Sequence, residues 1–114
     1  QENAESTGTR QLSGVGGQMD FLEGAYRSKG GKGFICINSS RVTKNGERKS
    51  NILATIPGGS TISAPRTMIQ YVATEYGIAS LSGKTLRERA EAMASIAHPD
   101  FREELMKYAQ ENFK

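Results

Sequence analysis

The sequence predicts an α/β chain with a short N-terminal helix, several strands and two C-terminal helices. Three observations carry that reading. Apolar residues recur at helical spacing directly after a glycine cluster. Short apolar runs rich in strand formers fill the middle, each bounded by Gly, Pro or Asn. From Thr85 onward a helical period holds, and start signals mark it twice.

Residues 1–10 are polar, show no apolar period and read as a connection inherited from upstream. Ser13-Gly14-Val15-Gly16-Gly17 is a tight glycine cluster. Met19, Phe21, Leu22, Ala25 and Tyr26 then place a helix over 18–27, which Gly24 weakens. Ser28 to Gly33 is a Lys/Gly loop. Phe34-Ile35-Cys36-Ile37 is too short for a core helix and reads as a strand. Asn45-Gly46 supplies a turn signal. Ile52 to Ile56 reads as a second strand, forming with the first a hairpin whose connection is long and basic. Pro57-Gly58-Gly59 breaks the chain. Thr61-Ile62-Ser63 reads as a brief strand and Ile69 to Thr74 as another, and Tyr76-Gly77 and Ser82-Gly83 bound a short connection. Thr85 and Glu88 have the spacing of a capping box. Leu86, Ala90, Met93 and Ala97 fall on one stripe of the helix they open. Pro99 suits the first position of a further helix, where its missing N–H is no loss. Phe101, Leu105, Tyr108 and Asn112 carry that helix onward. The two helices are expected over 85–97 and 99–112.

The length of 114 residues allows one domain at most. Charged residues make up 24% of the chain with both signs present, which argues against disorder. No apolar run approaches the ~20 residues of a membrane span, and no signal peptide is evident, so a membrane partner is not expected. The single cysteine, Cys36, excludes an internal disulfide and a CxxC metal site. It fits a reducing compartment, hence a cytoplasmic location, and its apolar run predicts a buried, inert thiol. The net charge is +3, but unevenly placed. Arg27, Lys29, Lys32, Arg41, Lys44, Arg48 and Lys49 face only Glu47 between residues 27 and 49. Such a stretch is either a solvated face or a site for an anionic partner. Nucleic acid is disfavoured, because no aromatic residues interleave with the charge.

Several residues could carry chemistry. Glycines in the 13–17 cluster let backbone N–H groups approach a ligand, and the helix N-terminus that follows favours negative charge. Such groups hold a phosphate or a developing oxyanion; the alternative is a plain tight turn. The cluster is neither GxGxxG nor a Walker loop. Lys44 could pair with phosphate as a point charge, or be an ordinary surface lysine. Glu75 follows a predicted strand, where a carboxylate could act as acid, base or orienting group, or simply serve the turn. Asp20 and Arg66 read as structural charges. His98 reads as a helix cap, because no His, Cys or carboxylate partner stands at metal spacing, and no metal site is expected.

Five motifs occur in one order: Ser13 to Phe21, Ser28 to Lys32, Tyr71 to Ala79, Gly83 to Ala90 and Ile96 to Arg102. Together they make the chain resemble, over nearly its whole length, the C-terminal segment of the acetyl-CoA hydrolase/transferase family. That family includes 4-hydroxybutyrate, butyrate–acetate and succinyl–acetate CoA-transferases. The resemblance implies that residues 1–114 are the C-terminal portion of an open α/β CoA-transferase domain. It also implies reversible transfer of coenzyme A between an acyl-CoA and a free carboxylate through covalent catalysis by a glutamate. Coenzyme A and acyl-CoA would be substrates, with no tightly bound cofactor and a short carboxylic acid as the other reactant. Residue by residue, the family's Gly-x-Gly-Gly loop falls on Gly14, Val15, Gly16 and Gly17. The Gly17 N–H would belong to the oxyanion hole, Ser13 would border bound CoA, and Gly14 and Gly16 would shape the cradle. The lysine of a Lys-Asp/Asn-Gly turn falls on Lys44, as a CoA contact. The glutamate of Thr-Glu-x-Gly falls on Glu75, a second active-site carboxylate.

The family's nucleophilic glutamate lies well upstream of the glycine loop, and Glu2 and Glu5 do not match its motif. A chain starting at Gln1 is therefore expected to be a C-terminal piece, inactive alone, partnered by its N-terminal remainder and homo-oligomeric when intact. Two alternatives stand beside transfer: thioester hydrolysis by water within the same family, and a non-catalytic module binding anions or a partner through residues 27–49.

Overall fold

The computed structural model describes residues 1–113. In chain order they form β1 (Ser6–Thr7), β2 (Arg10–Gln11), α1 (Gln18–Arg27), β3 (Phe34–Cys36), β4 (Ser40–Val42), β5 (Arg48–Ser50), β6 (Tyr71–Thr74), β7 (Gly77–Ser80), α2 (Leu86–Ser95) and α3 (Pro99–Asn112). This is the mixed α/β chain that the sequence predicts. The elements sort into two units. Residues 1–34 with 55–70 make the first, and 35–54 with the stretch from Tyr71 onward make the second.

In the first unit, residues 1–10 are not the free connection expected from their polarity. Asn3 Oδ1 accepts the N–H groups of Glu5 and Ser6, both at 3.1 Å, which turns the chain. Gly8, at φ 57°, then closes an antiparallel pairing of Ser6 with Gln11 and Thr7 with Arg10. Residues 61–63 are not a strand either. Their N–H groups go to scattered acceptors: Thr61 donates to Ser6 Oγ and Ser63 to the Glu2 carbonyl, leaving only an isolated bridge between Glu2 and Ala64. Helix α1 occupies the span its apolar period foretold. It buries Leu22, and Ala64 and Ile69 complete the unit's apolar interior. The Ser28 N–H returns to the Gly24 carbonyl at its C-terminus, and Gly31 accepts no Cβ because Ser28 and Ala25 occupy that space.

In the second unit, the expected hairpin between Phe34–Ile37 and Ile52–Ile56 does not form. β3 pairs with β6 instead, giving the order β3-β6-β7. The Asn-Gly turn closes a shorter hairpin made of the basic residues themselves, with Ser40 opposite Ser50, Arg41 opposite Lys49 and Val42 opposite Arg48. Gly46 N–H donates to the Thr43 carbonyl with Gly46 at φ 81°, and Thr43 N–H donates to the Glu47 carbonyl. That leaves no slack for a longer loop. Past β5 the ladder stops because Ser50 Oγ takes the Ile52 N–H at 3.2 Å and donates to the Ile52 carbonyl at 2.6 Å.

β6 covers only the second part of the run from Ile69, and β7 occupies the stretch expected as a connection between Tyr76-Gly77 and Ser82-Gly83. Thr74 pairs with Gly77 across a two-residue turn, and Gly77, at φ 149°, adopts a backbone suited to glycine. Alternation along the strands turns Ile35, Val72, Ala79 and Leu81 inward. The same alternation leaves Cys36 exposed, correcting the expectation of a buried thiol. α2 packs on β7 and α3 on α2. Both capping-box hydrogen bonds of Thr85 and Glu88 are present, and His98 caps α3 with Pro99 at its first turn, as predicted. Ala94, Ile96, Ala97 and Ala109 are buried between these helices and their connection, whereas Leu86, expected on the apolar stripe, is 47% exposed. Among the described residues no helix is long and apolar enough to cross a membrane.

Candidate active site

The structure places the sequence-derived candidates in both units. Ser13 to Gly17 belong to the first unit, and Lys44 and Glu75 to the second.

The glycine loop is anchored at its start. The N–H groups of Leu12 and Ser13 donate to the Glu5 carbonyl at 2.7 and 3.2 Å, and Gln11 Nε2 donates to the Ser13 carbonyl at 2.6 Å. Glu5 is buried and also receives Gln11 Nε2 on its carboxylate. Ser13 Oγ donates to the Gly14 carbonyl. From there to Gly17 the backbone is exposed, and among the described residues no acceptor takes the N–H groups of 14–17. Gly16 sits at φ 63°, a conformation that turns the chain sharply into α1 and disfavours any side chain. Gly17 is the N-cap of α1, with no side-chain cap, so the helix start presents bare N–H groups to solvent. A Cβ on Gly17 would touch only the Phe21 ring, at 3.8 Å, and Phe21 is itself 82% exposed. Asp20 lies in the first turn of α1.

Glu75 stands at the tip of the β6–β7 turn. The turn is fixed from below: Thr74 Oγ1 accepts the Tyr76 N–H at 3.1 Å and donates to the Ile96 carbonyl at 2.7 Å. Beyond it, the Arg102 guanidinium lies 4.8 Å from the Tyr76 ring centre, and His98 meets that ring edge-on. Glu75 Oε1 accepts the Ser39 N–H at 2.8 Å. The Ser39 hydroxyl faces the same carboxylate, although its buried Oγ completes no hydrogen bond with a described residue. That hydroxyl, then the Ser39 amide, hold the Glu75 carboxyl below its ordinary value, with a smaller contribution from His98. Glu75 is solvent-exposed and ionised at neutral pH, so it is an acceptor and a negative charge there rather than a proton donor.

Lys44 is exposed in the turn of the β4–β5 hairpin, which begins one residue after Ser39. Arg41 Nη1 donates to Asn51 Oδ1 at 2.6 Å and Arg48 Nη1 to Ser40 Oγ at 2.7 Å, while Lys44 extends from the tip. Ser39 is the residue that sequence reasoning missed. It sits in an unremarkable Asn-Ser-Ser run, and only the return of β6 beside β3 reveals its partner. Among the described residues no three His, Cys, Asp or Glu side chains gather as metal ligands.

Comparison with known proteins bears on this arrangement. A sequence model of the acetyl-CoA hydrolase/transferase C-terminal domain matches residues 1–109. The chain is 48% identical over 110 residues to a butyryl-CoA:acetate CoA-transferase of Anaerostipes caccae, covering 96% of this chain and 25% of that protein. The same identity and coverage relate it to a 4-hydroxybutyrate coenzyme A transferase of Clostridium kluyveri. In structure it is similar to RipA from Yersinia pestis, with a TM-score of 0.80, 39% identity, and coverage of 96% of this chain and 24% of that one. The chain thus spans about a quarter of the length of the curated relatives it matches.

Proposed function

This chain belongs to the acetyl-CoA hydrolase/transferase family, and from that premise we propose that it is the C-terminal portion of a CoA-transferase, supplying the oxyanion hole and a coenzyme A contact. The nucleophile is a glutamate carried by a preceding segment of the intact enzyme. That carboxylate attacks the thioester carbonyl and expels the CoA thiolate, leaving an acyl-glutamyl anhydride. The thiolate attacks the glutamyl carbonyl, releases the acyl group as a carboxylate and leaves a glutamyl-CoA thioester. A second carboxylate then enters by the same steps in reverse.

The observation that carries this reading is the bare, exposed backbone from Gly14 to Gly17 at the start of α1. Negative charge develops on the thioester oxygen as it is attacked, and the Gly17 N–H stabilises it. Gly14 and Gly16 keep side chains out of the approach, and Ser13 borders the CoA arm. Lys44 contacts CoA as a point charge on a mobile stem. Glu75, ionised at neutral pH, is a second active-site carboxylate, a negative acceptor that supports the nucleophile.

The test compares the isolated chain with the intact polypeptide in exchange of CoA between acetyl-CoA and a carboxylate. The isolated chain is expected to show no turnover. In the intact enzyme, Glu75→Gln is expected to lower kcat by about 10²- to 10³-fold. Robust exchange by the isolated chain, or full activity of E75Q, overturns the reading.

A further inference from the structure

We propose that Ser39 is the positioning residue for Glu75, holding its carboxylate in one orientation from the neighbouring strand connection; this rests on the reading of Glu75 as an active-site carboxylate.

The geometry is specific. Glu75 is exposed at the tip of a two-residue turn, where a glutamate with three rotatable side-chain bonds ordinarily samples many rotamers. Here one oxygen, Oε1, takes the Ser39 N–H at 2.8 Å. The donor is itself immobile. Ser39 is fully buried, at 0% exposure. Its carbonyl accepts the Asn51 N–H at 2.9 Å, and Asn51 Nδ2 donates to the adjacent Asn38 carbonyl at 2.8 Å. On the other side, Ile37 N–H donates to the Ala73 carbonyl at 3.0 Å, tying the same connection to β6. The Ser39 peptide is therefore clamped between β5 and β6, and Glu75 inherits that rigidity. The Ser39 Oγ is buried and completes no hydrogen bond with a described residue, but its hydroxyl favours the charged form of the Glu75 carboxyl. Arg41, at the base of the basic hairpin, closes on Asn51 Oδ1 at 2.6 Å, so the clamp and the Lys44 hairpin share one anchoring residue.

The test is a carbon- and proton-detected NMR titration of this chain. The Ser39 amide proton is expected to shift with pH at the Glu75 midpoint, and to lose that dependence in Glu75→Gln. In Ser39→Ala the Glu75 midpoint is expected to rise toward the ordinary glutamate value. The Glu88 midpoint, held down by Thr85, serves as an internal control and stays in place. A Ser39 amide blind to pH, or an S39A midpoint unchanged at Glu75, overturns the proposal, and the amide arm stands even where S39A does not fold. In the intact enzyme, S39A is expected to lower kcat about tenfold with KM for acyl-CoA little changed, and to raise the acidic limb of the pH profile. An unmoved acidic limb in S39A, with E75Q inactive, overturns Ser39 positioning alone. An active E75Q instead removes the underlying reading of Glu75.

Discussion

Single residues divide into those whose chemistry the backbone demands and those a ligand would demand. Gly16 is of the first kind. Its positive φ makes any side chain strained although the surrounding space is open. Gly16→Ala is expected to destabilise the chain by about 1–2 kcal/mol in thermal or urea unfolding. Gly14→Ala, with a permissive backbone and nothing within 4 Å, is expected to be neutral. Gly17 is of the second kind. A Cβ there makes only ordinary contact with Phe21, so Gly17→Ala is expected to cost only the cap preference of glycine over alanine, less than about 1 kcal/mol. The same change is expected to lower CoA transfer in the intact enzyme by at least about tenfold, because a substrate carbonyl must approach that N–H closely. The sequence exposed this loop clearly, since a cluster of glycines before an apolar helical period is a local signal. It concealed the state of Cys36, because an unbroken apolar run does not say which alternate positions face inward.

Among the elements, helices were legible to within a residue or two and strands were not. Helix boundaries rest on neighbours in sequence: Thr85 and Glu88 cap one another across a single turn, and His98 Nδ1 accepts the Asp100 N–H two residues on. Thr85→Ala removes one of those donor–acceptor pairs and exposes the first turn of α2. It is expected to cost about 1 kcal/mol in denaturant unfolding, with Thr85→Ser retaining most of the cap. Strand pairing depends on partners far away. The run from Phe34 reads as a strand by composition, but nothing local names β6 as its neighbour. The Asn-Gly signal was real, yet it belongs to the strands immediately beside it, and Ser50 ends that ladder before the apolar run at Ile52 begins.

Over the whole molecule, acid sensitivity follows from two carboxylates that bind protons less readily when folded. Glu75 and Glu88 both titrate below the unperturbed value of 4.5, one through Ser39 and the other through the Thr85 cap. Their contribution is complete above 4.5 and is lost as pH falls through the lower folded values, because the unfolded chain takes up the protons first. Urea unfolding from pH 7 downward is expected to show falling stability below 4.5, with a shallower fall in the E75Q/E88Q double variant. The motifs identified the family, whereas the division into two units was invisible to them. The polypeptide passes from one unit to the other between Phe34 and Ile35, returns between Ala54 and Thr55, and passes over again between Gln70 and Tyr71. The two are consequently interlaced along the chain like a braid. No truncation from either end yields one whole and discards the other, and a protease nick between Thr43 and Glu47 leaves two fragments that each hold part of both.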